Sequence, residues 1–252
     1  MYTAAESYLM SRLFVILLAI TIVLWLLLRK RSEAVKSIPF IVITLALIVG
    51  EVIKQVKCYR YGYTYWDLPL HFCSTYFIWF TMAEISVGKL RKTMQNIAFI
   101  STFYGVIGMY VSPSGIFGAG ACENMFIDYF TAHSIIFHHL VALYLMLSIA
   151  LHRFHPKKSD AVVWVICFTV YFAVAFYCSY VLETNFFNIR NSESIPILET
   201  FRLQVGQVVY NACLWVVLCL GGIVLWISAW ISGLLKERRS QEEEWIAVTV
   251  ER

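Results

Sequence analysis

The sequence predicts an all-α fold, a polytopic membrane helix bundle of seven transmembrane helices, with the N-terminus outside and the C-terminus in the cytoplasm. Three observations lead there. Hydrophobic types make up 60% of the 252 residues and charged types only 14%, against about 45–50% and about 25% in soluble domains. The apolar residues fall in seven runs, each close to the ~20 residues a helix needs to cross ~30 Å of hydrocarbon. The 20 Lys and Arg are shared unevenly between alternate connections. This composition excludes a disordered chain and a nucleic-acid-binding domain, and it argues against an ordinary soluble enzyme.

Lipid offers no partner to a backbone N–H or C=O, so each spanning run reads as a helix. The runs cover 8–28, 38–56, 67–87, 93–111, 126–151, 161–182 and 205–231, taken together as one integral membrane domain over 1–252. Arg29-Lys30-Arg31 closes the first, Pro39 opens the second, and Pro69 falls in the first turn of the third, where a missing N–H is harmless. Lys89, Arg91 and Lys92 separate the third from the fourth. Ser112-Pro113-Ser114-Gly115 stops the fourth, and His155-Pro156-Lys157-Lys158 follows the fifth. The first run lacks a basic leader and a small-residue cleavage pattern, so it reads as a retained span.

Connections 1–2, 3–4 and 5–6 and the C-terminal tail, Arg252 included, hold fourteen Lys and Arg. Six lie on the other side: Arg12, Lys54, Lys57, Arg60, Arg190 and Arg202. Positive charge collects in the cytoplasm, which sets the orientation. Tyr59, Tyr61, Tyr63, Tyr65 and Trp66 read as an interfacial belt, and Gln241-Glu242-Glu243-Glu244 as a solvated end.

Ionisable groups are costly in hydrocarbon and point to function. Here four spans bring them to the outer half: Glu51 and Lys54 on the second, Asp67 and His71 on the third, His133, Ser134, His138 and His139 on the fifth, and Gln207, Tyr210 and Asn211 on the seventh. Glu84 is the main polar group in the other half. A shared pocket open to the outer face is the simplest explanation. The competing explanation is interhelical hydrogen bonding, worth ~1 kcal/mol per bond, with Glu51 and Lys54 neutralising each other at i,i+3. Clustering at one depth favours the pocket.

In a helical third span, Asp67, His71, Ser74 and Thr75 share a face while Cys73 points elsewhere. A carboxylate, an imidazole and a hydroxyl on one stripe can orient and deprotonate a nucleophile. The plain alternative is a helix start capped by Asp67. On the fifth span Ser134 and His138 are four apart and can meet. His133 and His138 are five apart and do not chelate a metal as an i,i+4 pair would. One of His138 and His139 is expected to pack against a neighbouring helix. There is no Cys-x-x-Cys, no metal or cofactor is expected, and Cys58 and Cys122 are not expected to be bridged.

Leu68-Pro69-Leu70-His71-Phe72-Cys73, Ala132-His133-Ser134 and Gly50-Glu51-x-x-Lys54 occur in an order and spacing that resemble the bacterial YwaF-type integral membrane proteins. These are related to animal transmembrane protein 164, and the resemblance covers most of the chain. The animal members look like acyltransferases acting on membrane phospholipids, with a cysteine in a Pro-Cys-His turn as nucleophile. The resemblance implies roles for His71 and His133. The matching cysteine position is Leu70 here, and similar small multi-pass lipid hydrolases use threonine with histidine, so Ser74, Thr75 and Ser134 stay open as nucleophiles.

The expected function is therefore a lipid acyltransferase or acyl hydrolase of the bacterial cytoplasmic membrane, with membrane lipids as partners and no nucleic acid. His71, His133, His138, Asp67, Ser74 and Ser134 form the candidate catalytic set. Glu51, Lys54, Thr75, Gln207, Tyr210 and Asn211 are the expected pocket lining. Two alternatives stand beside it. One is a non-enzymatic binding or transport protein. The other is a zinc-dependent seven-span hydrolase, disfavoured because the seventh span has no histidine.

Overall fold

The computed structural model describes residues 3–193 and 195–250. Arg252 and the side chains of Arg239 and of 242–244, placed above in the tail, lie outside the described residues. The elements are α1 (Ala4–Leu28), α2 (Glu33–Tyr61), α3 (Tyr76–Ile85), α4 (Gly88–Val111), α5 (Pro113–Phe117), α6 (Ala121–Asn124), α7 (Tyr129–Ala150), α8 (Lys158–Val181), α9 (Pro196–Val205) and α10 (Gln207–Val250). No strand occurs among the described residues. Helices α1, α2, α7, α8 and α10 are long and apolar enough to cross a bilayer. Helix α4 has 24 residues, but its first third carries Lys89, Arg91, Lys92, Gln95 and Asn96.

The largest departure from expectation is the third span. The helix expected over 67–87 does not form as one element. Short 3-10 turns at Tyr65–Asp67 and Phe72–Thr75 flank an extended stretch, and α3 has only 10 residues, or about 15 Å of rise. Pro69 is the cause: it biases the residue before it toward extended backbone, and Leu68 sits at φ −58°, ψ 139°. Irregular backbone at membrane depth must be satisfied by protein. Gln55 Nε2 donates to the Asp67 carbonyl at 2.7 Å, Tyr171 Oη to the Leu70 carbonyl at 3.0 Å and His71 Nε2 to the Trp66 carbonyl at 3.1 Å.

Two boundaries also shift. Pro39 lies inside α2 rather than at its start; Ser32 takes the N-cap position, so the helix begins nearly two turns earlier. The seventh run, expected over 205–231, forms as α10 from Gln207 and runs on well past residue 231. Gly206 at φ +81°, a left-handed conformation that glycine adopts freely, separates it from α9, which precedes that run.

Helix α7 is the centre of the bundle, packed by α1, α2 and α4. Helices α8 and α10 pair closely through Gly221 and Gly222. A Cβ at Gly221 would lie 2.6 Å from the Trp164 ring, whose Nε1 donates to the Leu218 carbonyl at 3.0 Å. Gly105 on α4 serves the same purpose for Tyr76, since any side chain there would collide with the phenol.

One end of the bundle is locked by buried charge. Glu84 on α3 pairs with Arg153 at 3.0 Å and Arg91 at 3.4 Å, and Tyr144 donates to it at 3.2 Å. Beside this cluster, Asp160 accepts from Thr93 at 2.8 Å and from Asn96 at 2.5 Å. Asn96 also clamps the 152–157 turn, donating to the His155 carbonyl and accepting from the His155 N–H, each at 2.9 Å.

Candidate functional site

At the opposite end, α2, the irregular 65–75 segment, α5 and α7 enclose a cavity of about 340 Å³. It collects Glu51 and Lys54 from α2, Asp67, His71 and Ser74 from the irregular segment, and His133, Ser134 and His138 from α7. Residues from separate stretches of sequence thus meet in one place.

The histidine tautomers follow from their partners. A carbonyl oxygen only accepts, so a ring nitrogen beside one carries the proton. His71 donates from Nε2 to the Trp66 carbonyl, which leaves Nδ1 with the lone pair. Its ring lies 4.3 Å from Trp66 and 5.2 Å from Phe186, centroid to centroid. His138 donates from Nδ1 to the Ser134 carbonyl at 2.8 Å, so its lone pair sits on Nε2, buried and without a hydrogen-bond partner. His133 Nε2 is likewise buried and unpartnered. It rests on Gly50, where an added Cβ would stand 3.4 Å away. That contact gives the Gly50-Glu51-x-x-Lys54 pattern a physical meaning: the imidazole lies against the α2 backbone one residue before Glu51.

The carboxylates are engaged elsewhere than on the imidazoles. Glu51 accepts from Lys54 at 3.0 Å and from Gln55 at 2.7 Å. Asp67 accepts from the Thr64 N–H and Oγ1, each at 2.9 Å, closing a capping box around the 3-10 turn. Asp67 is therefore the carboxylate of a local cap rather than the orienter of His71, a role taken by the Trp66 carbonyl.

Four residues expected in the pocket lie outside it. Thr75 is buried and donates to the Phe72 carbonyl at 2.7 Å. Gln207 donates to the Ile189 carbonyl at 2.6 Å and to Asn211 at 3.3 Å. Tyr210 bonds to Ser192 and to the Asn188 carbonyl. Gln207 and Tyr210 thus hold the 186–193 loop in place, with Asn211 accepting from Gln207. His139 is the packed member of its pair: it donates to the Ile135 carbonyl at 2.7 Å and faces Phe117 and Tyr110.

Sequence reasoning missed Cys73, Trp66 and Gln55. Cys73 was expected to point elsewhere on a helix, but the 3-10 and extended backbone brings it to the cavity wall with His71 and Ser74. Gln55 bridges Glu51 and the Asp67 carbonyl; its i,i+4 spacing from Glu51 was the available signal. No imidazole is hydrogen-bonded to a hydroxyl or thiol among the described residues. Nor, among them, are three His, Cys, Asp or Glu side chains grouped so as to hold a metal ion.

Long apolar helices around a walled polar cavity define a multi-pass helical membrane protein. The chain belongs to the TMEM164 family, whose family model matches residues 1–240. Neither a curated protein nor a solved structure matches the chain.

Proposed function

We propose that this membrane protein transfers or hydrolyses an acyl chain of a lipid in the cavity between α2, the 65–75 segment and α7. The observation that carries the reading is the meeting of His71, His133 and His138 with Ser74, Ser134 and Cys73 on one cavity wall. In the first step, a lone-pair nitrogen of His71 or His138 takes the proton of a hydroxyl or thiol. The oxygen or sulfur bonds to the ester carbonyl carbon of the lipid. The bond from that carbon to the alcohol oxygen then breaks, and the imidazolium gives its proton to the departing oxygen. Water or a second lipid alcohol resolves the acyl-protein intermediate by the reverse sequence. Lys54, on the cavity wall, is the cation placed to face a developing oxyanion.

In this reading the chain crosses a bacterial cytoplasmic membrane seven times, with the irregular segment and α3 together making the third crossing. The N-terminus and the cavity then face outside. The clustering of Arg91 and Arg153 at the end away from the cavity supports that orientation.

The test compares labelling of purified wild type, His71→Ala, His138→Ala and Cys73→Ala by a fluorophosphonate probe and by an iodoacetamide probe. A tenfold or greater loss in a histidine variant is expected with whichever probe marks the nucleophile. Equal labelling of all four proteins overturns the assignment. The missing bond between imidazole and nucleophile favours a second reading, a binding or transport site. Uptake into proteoliposomes that depends on Glu51 or His133, with no covalent labelling, selects it.

A further inference from the structure

The locked end of the bundle carries a second cavity, of about 420 Å³, on the far side of the molecule from the histidines. Arg91, Lys92, Arg153, His152, His155 and Gln95 line it. Its charge is not balanced from within. Glu33, at the rim, is bound by Lys36 at 2.7 Å. Behind the wall, Glu84 serves both Arg153 and Arg91, and Asp160 is taken up by Thr93 and Asn96. Three permanent cations therefore line the hollow with one carboxylate, Glu33, which Lys36 already binds.

The two arginines are also fixed in place. Arg153 has a side chain only 6% exposed, held by Glu84 and stacked 4.0 Å over the Phe40 ring. Arg91 donates from Nη2 to Ser37 at 3.0 Å, and its Nε is buried without a partner. The turn bearing His152 is clamped by Asn96 and enters the left-handed region at His152, φ +52°. A turn held in a costly conformation by a buried amide is a built feature, not a loose loop. Two guanidinium groups and an ammonium around one hollow match the oxygens of a phosphate, which accepts charge-assisted and bidentate bonds from such groups. The hollow lies where α2 and α4 begin and just past the end of α7.

We infer that this cavity binds a phosphate group, as the headgroup of an anionic lipid or as the free ion. Basic pockets between helices at a membrane surface bind such headgroups. The inference is independent of the acyl-transfer reading, because no residue lines both cavities.

The experiment measures thermal unfolding of the full chain in detergent, at fixed ionic strength set with chloride. Inorganic phosphate, dioctanoyl phosphatidic acid and dioctanoyl phosphatidylcholine are titrated separately. Phosphatidic acid, with or without inorganic phosphate, is expected to raise the unfolding temperature of wild type, and Lys92→Gln and Arg91→Gln to weaken the apparent affinity about tenfold. Lys89→Gln, a cation at the same end but outside the cavity wall, is expected to leave it unchanged. Stabilisation by phosphatidic acid alone identifies the headgroup as the source; stabilisation by phosphate alone identifies the free ion. No stabilisation beyond chloride, an equal response to phosphatidylcholine, or equal losses in Lys89→Gln and Lys92→Gln would overturn the inference.

Discussion

Replacing Arg153 with Met tests how the basic end is held together. In the wild type the Glu84 carboxylate is 5% exposed and lies 3.0 Å from Arg153, its only deeply buried cationic neighbour among the described residues. After Arg153→Met, Glu84 keeps Arg91, which is 35% exposed and 3.4 Å away, and the Tyr144 hydroxyl at 3.2 Å. Neither replaces a buried guanidinium. Removing one partner of a buried ion pair costs about 3–5 kcal/mol, because the other charge stays in low dielectric uncompensated. Each kcal/mol shifts the midpoint by about 2–4 °C in a protein of this size. Arg153→Met should then unfold about 6–20 °C earlier, read from intrinsic tryptophan fluorescence in phosphate-free buffer. Adding Glu84→Gln removes the stranded charge, so the double variant should recover part of that loss, a positive coupling between neighbours. A midpoint within about 3 °C of wild type for Arg153→Met, which is about 1 kcal/mol by the same conversion, would refute the reasoning. So would a double variant less stable than the sum of the singles.

Further outcomes follow from packing and titration. Gly221→Ala should cost about 1–3 kcal/mol by overpacking, since its Cβ would stand 2.6 Å from Trp164 and 2.8 Å from Ile100. Gly233→Ala on the same helix meets nothing within 4 Å and should be neutral or stabilising by up to ~1 kcal/mol; paired thermal melts check both. Gly50→Leu should depress probe labelling as strongly as His133→Ala, because its side chain takes the space of that imidazole; unchanged labelling would separate Gly50 from the site. Glu199 is held down to about 2, from 4.5, by the Arg202 side chain and the Ser192 N–H. A depressed carboxyl stabilises above its unfolded value, so its anchoring of the 186–193 loop persists above pH 4.5 and fades as pH falls toward about 2. Hydrogen exchange of that loop should rise over this window, and Glu199→Gln should show the raised rate already at pH 7.

The long apolar helices were legible because composition and length alone decide them. The polar groups on α2 and α7 were legible for a related reason: a charged or imidazole side chain in an apolar helix has few places to go. What failed was every inference that assumed an unbroken helix. Pro69 was read as a harmless first-turn proline, although the same residue pushes Leu68 into extended backbone. That single error turned Cys73 away from the cavity on paper and drew Thr75 toward it. Gln207, Tyr210 and Asn211 do lie on an unbroken helix; they serve a loop because residues 188–192 fold back onto it, a contact that spacing along one helix does not reveal. The Glu84–Arg153 pairing joins residues 69 apart in sequence, and no local spacing rule reveals such a partner.

The broken third run bears on how the protein is made. Its Leu70 carbonyl is satisfied by Tyr171, 101 residues downstream, so the ribosome has yet to produce that partner when residue 70 reaches the translocon. A ten-residue helix does not partition into lipid by itself. A nascent chain stopped before α8 therefore carries all six histidines but lacks the partner of the Leu70 carbonyl.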